Sequence, residues 1–408
     1  MQLRPAVPRG VAARLARALV VAVAALSIGA GKPADPKKAA AVAAAQNGAD
    51  TRAERAILID AGSGSVIFEK NPDVAFPPAG LAKLMTVAVA AREAKEGRLS
   101  LDGEFTVSEH AWRTGGAPSR TPTMFAPVNV KAKVADLFRG IMIQSANDGA
   151  IALAEGIAGS ESTFAELMNK RAGELGLKAT RFTNPTGRAG GDDVTTARDM
   201  ATLARHFVVE YPDLYKIYGE REFTYNKIRQ TNRNPVLDGA IGGDGMQVAT
   251  TREVGMPIVA SAQQGKQRLI LVMSGSPGEK ERAEDAKKLL DWGFRTFETL
   301  HLYKAGEVVG EASVFGGAVR GVKIAAVEDV DILVPRGNRD KLRGRVVYTG
   351  PLPAPVAKGA RVGRLVLTRG EQTIREVPVE TIEEVPVGRI VNRAVDGTRE
   401  LLIGVFRR

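Results

Sequence analysis

The chain has 408 residues, of which 44% are hydrophobic and 25% charged, and it carries a net charge of +11. This length and composition are typical of a soluble protein with two or three domains. The aromatic content of 5% excludes an extensive base-stacking surface, so we expect no nucleic-acid partner. The absence of cysteine excludes disulfides and thiol catalysis, and three widely spaced histidines give no basis for a metal or an organic cofactor.

The N-terminal residues have the pattern of an export signal. Four arginines precede the apolar run Ala18–Leu26, and small residues follow it as far as Gly31. We interpret residues 1–31 as a signal peptide that directs the protein to the periplasm. A short membrane anchor is the alternative, although the apolar run is shorter than a membrane span requires. Residues 32–52, rich in Lys, Ala and Pro, are predicted to form a flexible linker.

Residues 53–300 contain strand patterns first, helix patterns in the middle, and strands with a helix at the end. The runs Ala56–Ile59 and Val66–Glu69 flank a Gly-Ser turn and predict a β-hairpin. Further strands are predicted within 256–276. Apolar periodicity predicts helices at Leu81–Ala94, Val134–Ile143, Asp148–Ile157, 162–175, 195–211 and 280–297. Thr195 or Thr196 is the predicted N-cap of the helix within 195–211. This order indicates an α+β domain with helices packed on an antiparallel sheet.

The composition changes near residue 305, where short Val-rich strands alternate with Gly and Pro turns. Residues 305–387 are therefore predicted to form a small all-β domain, either a sandwich or a barrel. Residues 388–408 place apolar side chains between arginines, which is typical of a basic amphipathic segment at a membrane surface. A helix packed on its own β domain is the alternative for this tail.

Several ordered motifs resemble one family, the exported serine D-alanyl-D-alanine carboxypeptidases, or low-mass penicillin-binding proteins. The family carries PASLTKLMT and SGNDA or SANDA, where this chain has PAGLAKLMT at 78–86 and SANDG at 145–149. The resemblance extends from about Ala56 to Pro386 and implies a penicillin-binding/β-lactamase-like transpeptidase domain followed by the family's β domain. Other similar stretches are AWRTGG at 111–116, RFTNPTG at 181–187, TTARDMATLA at 195–204 and IRQTNRN at 228–234.

The resemblance assigns acyl-enzyme chemistry to a cleft, and this chain departs from it at the central atom. The family's nucleophilic serine corresponds to Gly80, while its lysine is kept as Lys83 one helical turn later. Ser145 and Asn147 correspond to the residues that relay protons and bind the substrate amide. The resemblance thus implies catalytic positions 80, 83, 145 and 147, with the nucleophile lost.

The family's Lys-Thr-Gly motif, which receives the terminal carboxylate of the substrate, is also changed. Gln247 stands for the lysine, Val248 for the threonine and Ala249 for the glycine. A charge-assisted hydrogen bond to a carboxylate contributes about 1.5–3 kcal/mol, and a neutral glutamine cannot form one. Arg252 is a candidate for replacing the charge, although strand alternation predicts that it points to the opposite face, as a solvated turn residue.

Three functions follow as hypotheses. The first is a carboxypeptidase-like protein that has lost catalysis but binds D-Ala-D-Ala stem peptides of peptidoglycan, or a partner, at the outer face of the inner membrane. The second is an active carboxypeptidase with unusual residues, in which Ser145 with Lys83 would be the best substitute nucleophile. The third is a scaffold that uses only the β domain.

Structural interpretations are also open for two of these residues. Lys83 could be a retained lysine on a buried helix face, paired with Asn147 or Ser145. Asn147 could be the N-cap of the helix that follows the break in SANDG. Neither interpretation requires a ligand.

Overall fold

The computed structural model describes residues 49–249, 251, 254–336, 342–369 and 372–389. These residues form an α+β part followed by an all-β part, which confirms the predicted fold class. The predicted signal peptide 1–31, most of the predicted linker 32–52 and nearly all of the predicted amphipathic tail 388–408 lie outside the described residues. Thr51 and Arg52, at the end of the predicted linker, already belong to the packed fold, because both donate hydrogen bonds to Asp285.

The α+β part is built on a five-stranded antiparallel sheet in the order β2-β1-β9-β8-β7. Its members are β1 Arg55–Asp60, β2 Val66–Lys70, β7 Gly243–Gly245, β8 Ile258–Gln264 and β9 Gln267–Ser274. Two separate antiparallel pairs are β3 Glu104–Thr106 with β4 Lys131–Lys133, and the hairpin of β5 Glu222–Tyr225 with β6 Ile228–Thr231. The predicted hairpin at the start of the domain is confirmed as β1 and β2.

The predicted helices are confirmed to within a few residues. Thr196 is the cap of α6, since its hydroxyl accepts a hydrogen bond from the Asp199 backbone N–H at 3.1 Å. The helices are α1 Lys83–Lys95, α2 Glu109–Gly115, α3 Val134–Gln144, α4 Asn147–Ala158, α5 Glu161–Glu174, α6 Ala197–Glu210, α7 Pro212–Tyr215 and α8 Glu279–Thr296.

The sheet separates two apolar layers because successive side chains of a strand point to opposite faces. Ile57 and Ile59 of β1 belong to the core shared with α1, α3, α4 and α6. Leu58, between them, belongs to the layer that α8 covers with Leu289 and Leu290. Helix α1 lies inside the first layer with nine consecutive buried residues from Lys83 to Ala91, so its N-terminal end is fixed by packing on all sides.

The all-β part consists of a six-stranded sheet and a two-stranded pair around a separate core. The sheet order is β14-β16-β17-β12-β11-β15, and β10 pairs with β13. β10 follows α8 directly: Phe297 at its start packs in the core under α8, whereas Leu300 and Leu302 pack against the separate core of the all-β part. The strands are β10 Phe297–Tyr303, β11 Val308–Phe315, β12 Gly321–Ala326, β13 Val330–Pro335, β14 Leu342–Tyr348, β15 Leu352–Pro353, β16 Arg361–Arg369 and β17 Gln372–Thr381. Within the described residues, no helix combines the length and apolar character needed to cross a bilayer.

Candidate active site

Gly80 lies in a single 3-10 turn, Ala79–Ala82, that leads directly into α1. Two prolines precede the turn, and Pro78 accepts a hydrogen bond from the Leu81 backbone N–H at 3.0 Å. Ala79 has a φ of 47°, a left-handed conformation that costs a non-glycine residue about 1–2 kcal/mol. Gly80 itself is outside the left-handed region, so its backbone could carry a side chain. The turn therefore places residue 80 just before α1, three residues ahead of Lys83, with no side-chain oxygen at that position.

Lys83 is the first residue of α1 and is only 2% exposed. Its amine donates a hydrogen bond to the Thr186 carbonyl at 3.0 Å, and burial lowers the pKa of Lys83 to about 7. Burial thus favours the unprotonated amine, which an ordinary lysine does not populate near neutral pH. The interpretation that Lys83 pairs with Asn147 or Ser145 is wrong, because Thr186 is the partner.

The carbonyl that receives Lys83 is held by an organised turn. The Asn184 side-chain oxygen accepts hydrogen bonds from Thr186, both from its backbone N–H and its hydroxyl, and from the Gly187 backbone N–H at 2.8 Å. Gly187 has a φ of 71°, and a Cβ at this position would lie 1.7 Å from the Ala79 carbonyl oxygen. Only glycine allows the turn to lie this close to the residue before Gly80.

Ser145 and Gln247 form a direct side-chain contact. Ser145 occupies the break between α3 and α4 with φ 60° and ψ 36°, and only 8% of it is exposed. The Gln247 amide donates to the Ser145 hydroxyl at 3.0 Å, and the Tyr218 hydroxyl donates to the Gln247 oxygen at 3.4 Å. Gln247 thus fills the predicted lysine position as a neutral, buried donor.

Ala249 faces Gly80 across the cleft. A Cβ at residue 80 would lie 3.1 Å from the Ala249 Cβ, where ordinary contact begins near 3.4 Å, and 3.5 Å from the Ser145 hydroxyl oxygen. The structure therefore brings Gly80, Ser145, Gln247 and Ala249 together, as the motif comparison predicts. The methyl group of Ala249 occupies part of the space that a side chain at residue 80 would need.

Asn147 is the first residue of α4, and its amide donates to the Thr121 hydroxyl at 2.9 Å. The interpretation of Asn147 as an N-cap is wrong, since Ala146 holds that position without a side-chain bond. The Asn147 side-chain oxygen is buried and has no hydrogen-bond partner, so it is an available acceptor. The next residue, Asp148, is fully buried, and burial raises its pKa.

Val248 is separated from the other motif positions. Its side chain is 6% exposed and belongs to the apolar layer under the sheet, next to Ile258. The substitution of a threonine by valine is consistent with this apolar environment. Arg252, the candidate replacement for the lost charge, lies outside the described residues.

Arg282 is a candidate that sequence reasoning missed. Its guanidinium donates to the Ala249 carbonyl at 2.9 Å, the residue is 4% exposed, and burial lowers its pKa. Its Nε atom has no hydrogen-bond partner, and the nearby Glu279 carboxylate acts against the lowering of its pKa. The helix pattern of 280–297 gave no signal for this role, because an arginine on an amphipathic helix is normally solvated.

The arrangement offers hydrogen-bonding groups but no nucleophile at residue 80. Lys83, Ser145 and the free Asn147 oxygen provide donors and acceptors for a peptide group. The hydroxyl closest to the position of a serine oxygen is that of Ser145. Among the described residues, no group of three His, Asp or Glu side chains is placed to hold a metal ion.

Comparison with known proteins matches both parts of the fold. The model of the D-alanyl-D-alanine carboxypeptidase family matches residues 40–278, and the model of the penicillin-binding protein 5 C-terminal domain matches residues 297–387. The chain is 36% identical over 357 residues to the D-alanyl-D-alanine carboxypeptidase DacA of Haemophilus influenzae, covering 87% of this chain and 90% of the relative. It is 38% identical over 343 residues to DacC of Escherichia coli, covering 83% and 86% respectively.

Solved structures give the same result. Penicillin-binding protein 5 from Haemophilus influenzae superposes with a TM-score of 0.77 at 37% identity, covering 83% of this chain and 98% of that protein. Penicillin-binding protein 6B from Escherichia coli has a TM-score of 0.67 at 29% identity, with coverage of 81% and 95%. The chain therefore belongs to the D-alanyl-D-alanine carboxypeptidase family and carries the C-terminal domain of penicillin-binding protein 5.

Proposed function

We propose that this protein acts in peptidoglycan metabolism as a carboxypeptidase-like binder that has lost the acylation step. The observation that carries the proposal is Gly80, which places a hydrogen atom where the family has its attacking oxygen. Loss of the nucleophile from such a catalytic unit lowers turnover by about a millionfold. Ala249 adds to this effect, because its methyl group narrows the space in front of residue 80.

Binding of a D-Ala-D-Ala stem peptide is supported by the polar groups that the cleft keeps. The Asn147 oxygen is a buried acceptor without a partner, and such a group is satisfied by a ligand donor at little cost. The Ser145 hydroxyl, which already accepts from Gln247, is a second polar group of the cleft. Together the two groups support contacts with the peptide backbone of a stem peptide.

The test combines a binding and a turnover measurement on one purified protein. We expect a pentapeptide ending in D-Ala-D-Ala to bind in calorimetry without release of D-alanine. Asn147→Ala is expected to weaken binding about tenfold through the loss of one buried hydrogen bond to the peptide. Release of D-alanine by the wild-type protein would contradict the loss of catalysis, and absence of any binding would contradict the retained cleft.

A second candidate function is an active carboxypeptidase that uses Ser145. It is favoured by the 3.5 Å separation between the Ser145 hydroxyl oxygen and the position of a residue-80 Cβ. The nearly neutral pKa of Lys83 would supply an unprotonated amine. Against it, the Ser145 oxygen already accepts the Gln247 amide and would have to move. Activity in the wild-type protein that disappears in Ser145→Ala, but not in Ser162→Ala on the exposed face of α5, would identify this mechanism.

We also propose that the protein is exported and works at the outer face of the inner membrane. The support is the basic and apolar pattern of residues 1–31 and the amphipathic pattern of residues 388–408. The tail would lie on the lipid surface and not span the bilayer. Fractionation of cells that express the full chain tests this location, and recovery in the cytoplasm would contradict it.

A further inference from the structure

The tip of the β11–β12 hairpin in the C-terminal domain carries an exposed apolar patch. Phe315, Val319 and Val387 are 36%, 55% and 49% exposed, although large apolar side chains are usually buried. Phe315 pairs with Pro353, which is also exposed. We call these four residues, together with Pro355, the tip patch.

Backbone hydrogen bonds hold the tip patch together. The loop between β11 and β12 contains Val319, and Val387 pairs with Gly317 of this loop. The Ala318 N–H donates to the Pro386 carbonyl at 2.9 Å, and the Gly388 N–H donates to the Gly316 carbonyl at 2.9 Å. The end of the described chain is therefore fixed to the hairpin loop.

The same bonds fix the point where the tail leaves the domain. Nineteen residues, 390–408, follow Arg389, and their sequence alternates apolar residues with Arg393, Arg399, Arg407 and Arg408. If these residues lie on a lipid surface, Gly388 lies at that surface too. The hairpin loop is one hydrogen bond from Gly388, so its exposed apolar side chains reach the same depth.

We propose that the tip patch enters the lipid interface beside the tail and is a second membrane contact of this protein. The inference depends on the proposed membrane location of the tail. Burial of exposed apolar area in the interface drives the contact.

The first test measures binding of the full chain to vesicles of phosphatidylethanolamine with phosphatidylglycerol. Val319→Asp is expected to weaken binding at least about fivefold, since the half-exposed valine would otherwise be buried. Val209→Asp is the matched control, because Val209 is 54% exposed but lies on α6. Equal binding of the two variants would overturn the tip patch while leaving the tail contact intact. No binding by the wild-type chain would overturn both.

A fluorescence measurement separates lipid from the tail as the cover of the patch. The chain has no cysteine, so Val319→Cys provides a single site for an environment-sensitive dye. We expect the emission to shift to shorter wavelength only when vesicles are added, and expect no shift for Val209→Cys. A shifted emission before vesicles are added would show that the tail covers the patch and would overturn the proposal. An unchanged emission on vesicles that bind the protein would also overturn it.

Discussion

Residues 80 and 249 are expected to be energetically coupled, because the Ala249 methyl group lies next to the space that a side chain at residue 80 would occupy. Introducing Gly80→Ala places a Cβ 3.1 Å from the Ala249 Cβ, a few tenths of an ångström inside ordinary contact. Overpacking of this kind costs about 1–3 kcal/mol. In the Ala249→Gly background the clash is absent, and we expect Gly80→Ala to be neutral or to stabilise by about 0.5 kcal/mol.

A double-mutant cycle measures this coupling. Urea unfolding of the wild-type protein, the two single variants and the double variant gives four free energies of unfolding. We expect an interaction energy of at least about 1 kcal/mol, with the double variant more stable than the sum of the single effects predicts. Additivity within about 0.5 kcal/mol would refute the steric reasoning, since independent sites add within that margin. Gly62→Ala, in the β1–β2 turn, is a suitable control because its Cβ would have only ordinary contacts.

Three further predictions concern turnover, pH and packing. Gly80→Ser alone is expected to give little D-alanine release. Adding Gln247→Lys, Val248→Thr and Ala249→Gly to it is expected to increase the rate of D-alanine release. Full activity from the single change would contradict the role of the altered motif. Lys83→Met is expected to stabilise the protein most below pH 7, because burial lowers the pKa of Lys83 in the folded protein from its ordinary value of 10.5 to about 7. Between these two pKa values the unfolded chain holds a proton that the folded chain lacks, so the free energy of unfolding of the wild-type protein rises with pH. The stability advantage of Lys83→Met therefore falls by about 1.4 kcal/mol per pH unit. A pH-independent difference between the two proteins in urea unfolding would contradict this. Asp148→Ala is expected to lower the free energy of unfolding by about 3 kcal/mol, because the carboxylate accepts hydrogen bonds from the Thr123 hydroxyl and from the Met124 and Ala126 backbone N–H groups. An unchanged melting temperature of the variant would contradict this.

The fold was predictable where the sequence pattern is local. The hairpin at β1 and β2, the break at Ser145 and the Thr196 cap all depend on turn or capping residues close in sequence. The strand β10, which continues directly from α8, was not predicted, because its pairing with β13 is a long-range contact. Strand pairing across about thirty residues leaves no local signal.

The site was predictable in its membership but not in its contacts. The motif comparison places Gly80, Ser145, Gln247 and Ala249 in one cleft, which the distances confirm. It did not predict that Lys83 binds the Thr186 carbonyl or that Arg282 reaches the Ala249 carbonyl. Both contacts join segments that are far apart in sequence. In both, the acceptor is a backbone carbonyl oxygen, which every residue type has, so the sequence carries no signal for the contact.

Incubation of the purified protein with a penicillin, followed by intact-mass spectrometry, is the most direct measurement of whether this cleft can be acylated. We predict an unchanged mass for the wild-type protein, because residue 80 has no atom that could open the lactam ring. We also predict an adduct after Gly80→Ser is combined with Ala249→Gly. A stoichiometric adduct on the wild-type protein, located by peptide mapping to Ser145 or to any other side chain of the cleft, would contradict the loss of acylation.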